Sequence, residues 1–183
     1  MPSLLLKLLM TISLYGLWVT PVAALSLELI DKLDIKAIKS IHLKQTATEF
    51  RAQVVVQFST LAPTAIKFRD ANFVITFKDD QEQIIHLGTT QSAELLFPAS
   101  EEGHEQLKDE RLDVVVGQNN IKTVQRLIHL FNLIGNPNAE FSMILSGTTE
   151  VGVQAKQGWF YQGRIEIEGF TFHPTIQREV LFK

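Results

Sequence analysis

Cysteine is absent from all 183 residues, which excludes disulfides, thiol nucleophiles and thiolate metal sites. The compartment stays open on that ground alone, because an oxidising compartment permits disulfides without requiring them. Basic charge is scarce as well: 17 Lys and Arg stand against 20 Asp and Glu for a net charge of −3, and no long basic run occurs. Such a chain lacks the footprint that nucleic-acid affinity needs, so no nucleic-acid partner is expected. The motifs of common enzymes are missing too. His42, His86, His104, His129 and His173 form no HExxH or other paired metal spacing, and there is no G-x-S-x-G elbow, phosphate-cradling glycine loop or dinucleotide fingerprint. Accordingly no catalytic, cofactor-binding or metal-binding residue is expected, and no small-molecule substrate.

What is present begins with an export signal. In "MPSLLLKLLMTISLYGLWVTPVAA" one cation, Lys7, precedes an apolar run from Leu8 to Val19, followed by Pro21 and by small residues at Val22 and Ala24. The run is shorter than the roughly 20 residues of a spanning helix. Residues 1–24 therefore read as a signal peptide cleaved between Ala24 and Leu25, and residues 25–183 as a single exported domain, periplasmic or secreted. Leu25 stands where a lipoprotein signal would carry cysteine, so no lipid anchor is expected.

From Leu25 onward the dominant period is two. "FRAQVVVQF" sets Phe50, Ala52, Val54, Val56 and Phe58 on one face; Phe73, Ile75 and Phe77 repeat the pattern, as do Ala93, Leu95 and Phe97, then Leu112, Val114 and Val116, and then Phe141, Met143 and Leu145. "KDDQEQ" reads as a hairpin tip, "ASEEGHEQLKDE" from Ala99 to Glu110 as a solvated loop rather than a cation site, and "TIQREVLF" as a last strand. "SLELIDKLDIKAIKSIHL" fits either a helical turn or an irregular edge strand. Several short strands with turns at regular intervals indicate an all-β, antiparallel sandwich or barrel.

One stretch breaks the period. In "NNIKTVQRLIHLFNLIGN", Ile121, Val124, Leu127, Ile128, Phe131 and Ile134 recur at helical spacing, widened by Leu130 and Leu133, with Lys122, Arg126 and His129 opposite. Asn120 is placed to cap its start, Gly135 to take a left-handed turn past its end, and Pro137 to stop it. The expectation is an amphipathic helix closing one side of the sandwich, its basic stripe exposed and Arg126 of little consequence for stability. "KQGWFYQG" is the other notable segment, since Trp159, Phe160 and Tyr161 cannot all point inward from a strand. Lys122, Arg126, His129, Trp159, Phe160 and Tyr161 are the candidate interaction residues.

The order "VVVQF", "NFVITFKDDQEQIIHLG", "ELLFPAS", "RLDVVV", helix, "EFSMILSGTTEVG", "GRIEIEGF" resembles the late embryogenesis abundant type 2 family, also called the water-stress-and-hypersensitive-response (WHy) domain. The family's usual Asn-Pro-Asn after its first long strand is replaced here by "QFSTLAPTAIKF", which shares only Pro63. The resemblance implies an immunoglobulin or fibronectin-III-like β-sandwich of about seven strands with one α-helix, and a non-enzymatic binding or protective role in desiccation or envelope stress. The expected partner is an envelope protein or a lipid surface. Two alternatives remain: a carrier holding an apolar or acyl ligand in the sandwich core, or an adaptor joining an envelope assembly through an edge strand.

Overall fold

The alternating runs become strands because each buries one face. In the computed structural model, which describes residues 28–136 and 138–176, Phe50, Ala52, Val54, Val56 and Phe58 are all buried along β2 (Glu49–Thr60). Each Phe or Val among them contributes roughly 1.5–3 kcal/mol on leaving water, so a one-residue slip of register would be prohibitive. The other strands are β1 (Leu33–Gln45), β3 (Ile66–Asp79), β4 (Ile84–Phe97), β5 (Gln106–Gln118), β6 (Phe141–Ala155), β7 (Gly158–Phe172) and β8 (Thr175–Ile176). A helical turn through residues 28–30 precedes β1, so the ambiguous N-terminal stretch holds both of the forms its pattern allowed. The signal segment with its Ala24–Leu25 junction, Pro137 and most of "TIQREVLF" lie outside the described residues.

The strands form one sheet in the order β7-β6-β3-β4-β5-β2-β1-β8, antiparallel except for the parallel pair β1–β8. The eighth strand, beyond the seven or so expected, is this two-residue pair. Between β4 and β5 the pairing shrinks to Thr89 with Val115 and Thr90 with Val114. At that narrow seam a Cβ on Gly88 would lie 2.2 Å from the Val115 carbonyl oxygen, so only glycine permits the approach. The two four-stranded halves fold over each other about the seam into a sandwich. An aromatic contact joins them inside: Phe97 of β4 meets Phe58 of β2 edge to face at 5.2 Å between centroids, and within its own half Phe97 also meets Phe68 of β3 at 5.0 Å.

Two details depart from simple alternation. Phe68 and Phe73 are both buried despite their odd spacing, because β3 bulges against β6 around Asp70, whose φ is +47°. Its partner β4 bends with it, which buries Thr90 and leaves Ala93, expected inside, exposed. The Ala99–Glu110 loop is also shorter than expected. β5 begins at Gln106, and its early inward positions hold Lys108 and Glu110, paired at 2.5 Å, instead of apolar residues.

The helix, α1 (Ile121–Gly135), packs on β4 and β5, across the seam. Its start is capped as expected: the Asn120 side-chain oxygen accepts the Thr123 N–H at 3.0 Å. Its end differs, since Gly135 stays within the helix and Asn136, at φ −77°, forms the cap, its N–H donating to the Leu133 carbonyl at 3.2 Å. The buried line is Thr123, Leu127, Leu130 and Ile134, with Val124, Phe131 and Leu133 half-buried. Ile121 and Ile128, expected inside, are 69% and 56% exposed. The helix carries a wider arc of apolar residues than its contact covers, and the arc is trimmed on the Ile121/Ile128 side.

Candidate functional site

The predicted aromatic cluster divides in two. Trp159 and Tyr161 open β7, opposite Gln154 and Gly152 of β6. Because Gly152 has no side chain, the Tyr161 ring crosses β6 over it, and a Cβ there would meet the ring Cε1 at 2.7 Å. The ring reaches the Arg69 guanidinium of β3, 4.7 Å from its centroid, and Lys67 Nζ sits 4.5 Å from the Trp159 centroid. Glu94 holds Lys67 at 3.1 Å and Glu150 holds Arg69 at 3.6 Å. Two rows of carboxylate, cation and ring thus cross the outer face of the sheet. Phe160 belongs to neither and is 54% exposed.

The helical candidates also separate. Lys122 and His129 are exposed, whereas Arg126 is half-buried and turns back to donate from Nη2 to the Val116 carbonyl of β5. Its Nε is buried without a protein partner. The expected basic stripe is therefore reduced to Lys122 and His129, beside Ile121 and Ile128, and Arg126 belongs to the packing of the helix. A long side chain that starts on the polar side can cover buried surface in this way.

A third feature has no counterpart among the expected residues. At the end of the sandwich where β1 begins and β7 finishes, a cleft of about 500 Å³ opens. One wall is apolar, made by Leu33, Leu61, Phe170 and Phe172; the two Phe rings stack at 6.2 Å with 26° between their planes. The facing wall is charged. Lys36 pairs with Asp34 at 2.9 Å and with Glu105 at 3.1 Å. Hydrogen bonds to Asp34 and then Glu105 raise the Lys36 pKa above its ordinary value, and Lys36, followed by Ser59, holds that of Glu105 below the usual carboxylate range. Both groups stay ionised through the neutral range. Behind Leu33, Phe170 and Phe172 the cleft backs onto an apolar void of about 30 Å³ in the core. Lys36 and Glu105 are far apart in sequence, on β1 and before β5, so no local spacing announces their meeting.

Three carboxylates of the acidic stretch, Glu105 just before β5 and Asp109 and Glu110 within it, go to separate lysines. Glu105 goes to Lys36, Asp109 to Lys39 at 2.7 Å, and Glu110 to Lys108.

No family model and no curated protein matches the chain. Among solved structures, a protein from Archaeoglobus fulgidus is similar over 76% of this chain and 97% of its own, with 6% identity and a TM-score of 0.31. The solution structure of AT1g01470 from Arabidopsis thaliana is similar over 78% of each chain, with 15% identity and a TM-score of 0.27. The Northeast Structural Genomics target SoR45 covers 78% of this chain and 87% of its own, with 11% identity and a TM-score of 0.27. At these scores the likeness is descriptive, and the fold stands on the geometry of the chain itself.

Proposed function

We propose that the protein is an exported, non-enzymatic module of the late embryogenesis abundant type 2 kind, with a binding or protective role in desiccation or envelope stress. The observation that carries this reading is the order of parts among the described residues: five long strands, α1 packed across the β4–β5 seam, then the β6–β7 hairpin and a short final pairing. That is the order on which the resemblance in the sequence rests. The ionisable groups give it further support, since those in ion pairs, such as Lys39 with Asp109, lie largely on solvated faces of the sheet. Export follows the N-terminal segment, which has the charge, apolar core and small-residue junction of a cleaved signal.

The alternatives fare less well on geometry. A core void of about 30 Å³ has room for a water or two, so an acyl chain held wholly inside would require the sandwich to swell. Strand addition would use β7 or the part of β1 that β8 leaves uncovered, but register shifts near Leu145/Gly147 and Glu150/Gly152 interrupt the line of β7, and others at Ile35/Ala37 and Ile38/Ser40 that of β1, a device that discourages pairing. The test is to dry a labile reporter enzyme with the purified mature protein, or with an equal mass of serum albumin, and assay it after rehydration. The reading expects markedly greater recovery with this protein; recovery no better than with albumin sinks the protective role.

A further inference from the structure

The cleft at the end of the sandwich sets an apolar wall against a charged one. Leu61 is half exposed and Phe170 half buried, so the cleft presents apolar surface to solvent. Across from them, Lys36 is held between two carboxylates, and Asp31 adds a third carboxylate against the single further cation Lys32. The charged wall therefore carries a negative excess, and the one buttressed cation is already satisfied. A stacked aromatic pair beside a wall with one carboxylate in excess suits a positively charged head, which gains from both the rings and the acids. The volume, about 500 Å³, falls in the range of roughly 300–1,000 Å³ typical of small-ligand sites.

We infer that this cleft binds a single-chain amphiphile with a cationic head, its chain lying along Leu33, Leu61 and Phe170 and its head against Glu105 and Asp31. The inference rests on the reading of the protein as a binding module and supplies the ligand class that reading lacks. The chain lies in the cleft rather than in the core, so the sandwich keeps its packing. Only the chain end points toward the small void behind Phe170 and Phe172.

The probes are decyltrimethylammonium, decyl maltoside and decanoate, each below its micellar concentration, titrated calorimetrically into the full mature protein. Decyltrimethylammonium should bind tightest and decanoate weakest. Replacing decyl by octyl should weaken binding by up to about fourfold per methylene removed, as burial of the chain requires. Glu105→Gln should weaken the ammonium probe roughly two- to fivefold, the range for an exposed charge pair, and leave the maltoside unchanged. Leu61→Asn should weaken all three probes together. Glu105 and Leu61 are both exposed, so unchanged unfolding midpoints are expected and are checked alongside. Decanoate binding as tightly as the ammonium probe, an absence of chain-length dependence, or indifference to both substitutions would each overturn the assignment. Failure of all three probes to bind would overturn it too, while leaving the drying assay to decide the protective reading independently.

Discussion

At the scale of single residues, Arg126 shows how a position can be read correctly and its role missed. Helical spacing puts it across from Ile121, Val124 and Ile128, which invites a solvent-facing cation, but also one turn before Leu130, on the flank of the line that is buried. The side chain is long enough to turn under the helix and donate to Val116, the last inward residue of β5. Its truncation would leave a carbonyl at the helix–sheet junction without its charged donor. Arg126→Ala should therefore destabilise by about 1.5–3 kcal/mol, as loss of a hydrogen bond to a charged group does, whereas Lys122→Ala on the same helix should fall within about 0.5 kcal/mol of zero. Urea unfolding of the two variants checks this, and equal midpoints would return Arg126 to the surface. Tyr161 carries the same lesson, because its partner Arg69 lies two strands away across a glycine and no sequence interval relates the three. The cleft acids and Lys36 were illegible for that reason as well. Their meeting is a product of topology.

At the scale of elements, more was legible, because the period of a pattern is a local property. All five inward residues of β2 and all three expected from β5 are buried, and α1 begins on its expected first residue with its expected cap. Errors cluster where a second element decides. Ala93 was misplaced by the bulge that Asp70 makes in the neighbouring strand, and the start of β5 was hidden because its inward positions there are the Lys108–Glu110 pair. The helix face was misjudged by one side, since which part of a wide apolar arc is covered depends on the sheet beneath. This ranks the helix positions. Leu130, 1% exposed, should cost about 2–5 kcal/mol on truncation to Ala, and Phe131, only half-buried, should cost less than its size suggests. Ile128→Ser should change the urea midpoint little. If Phe131→Ala proves costlier than Leu130→Ala, the helix sits on its other apolar edge in solution.

At the scale of the whole molecule, the sandwich depends on a join of two residue pairs between β4 and β5, with α1 laid across it. Elsewhere neighbouring long strands pair along most of their length, so separation of the halves should begin at this seam. Gly88 sets how close the strands come. An added Cβ would meet the Val115 carbonyl oxygen at 2.2 Å and the Val116 Cα at 2.8 Å, and both are backbone atoms that cannot swing aside. One strand must move. Gly88→Ala should thus cost at the upper end of the about 1–3 kcal/mol typical of overpacking, more than a surface glycine substitution would. The location of the damage is the sharper readout. Amide hydrogen exchange should accelerate first at Thr89, Thr90, Val114 and Val115 and along α1, while the β1–β2 and β3–β6 ladders keep their protection. The Phe58–Phe97 contact lies deeper between the halves and should hold until global unfolding. Uniform acceleration across every ladder would mean that the halves do not open about the seam, and that the helix is held by the sandwich rather than helping to close it.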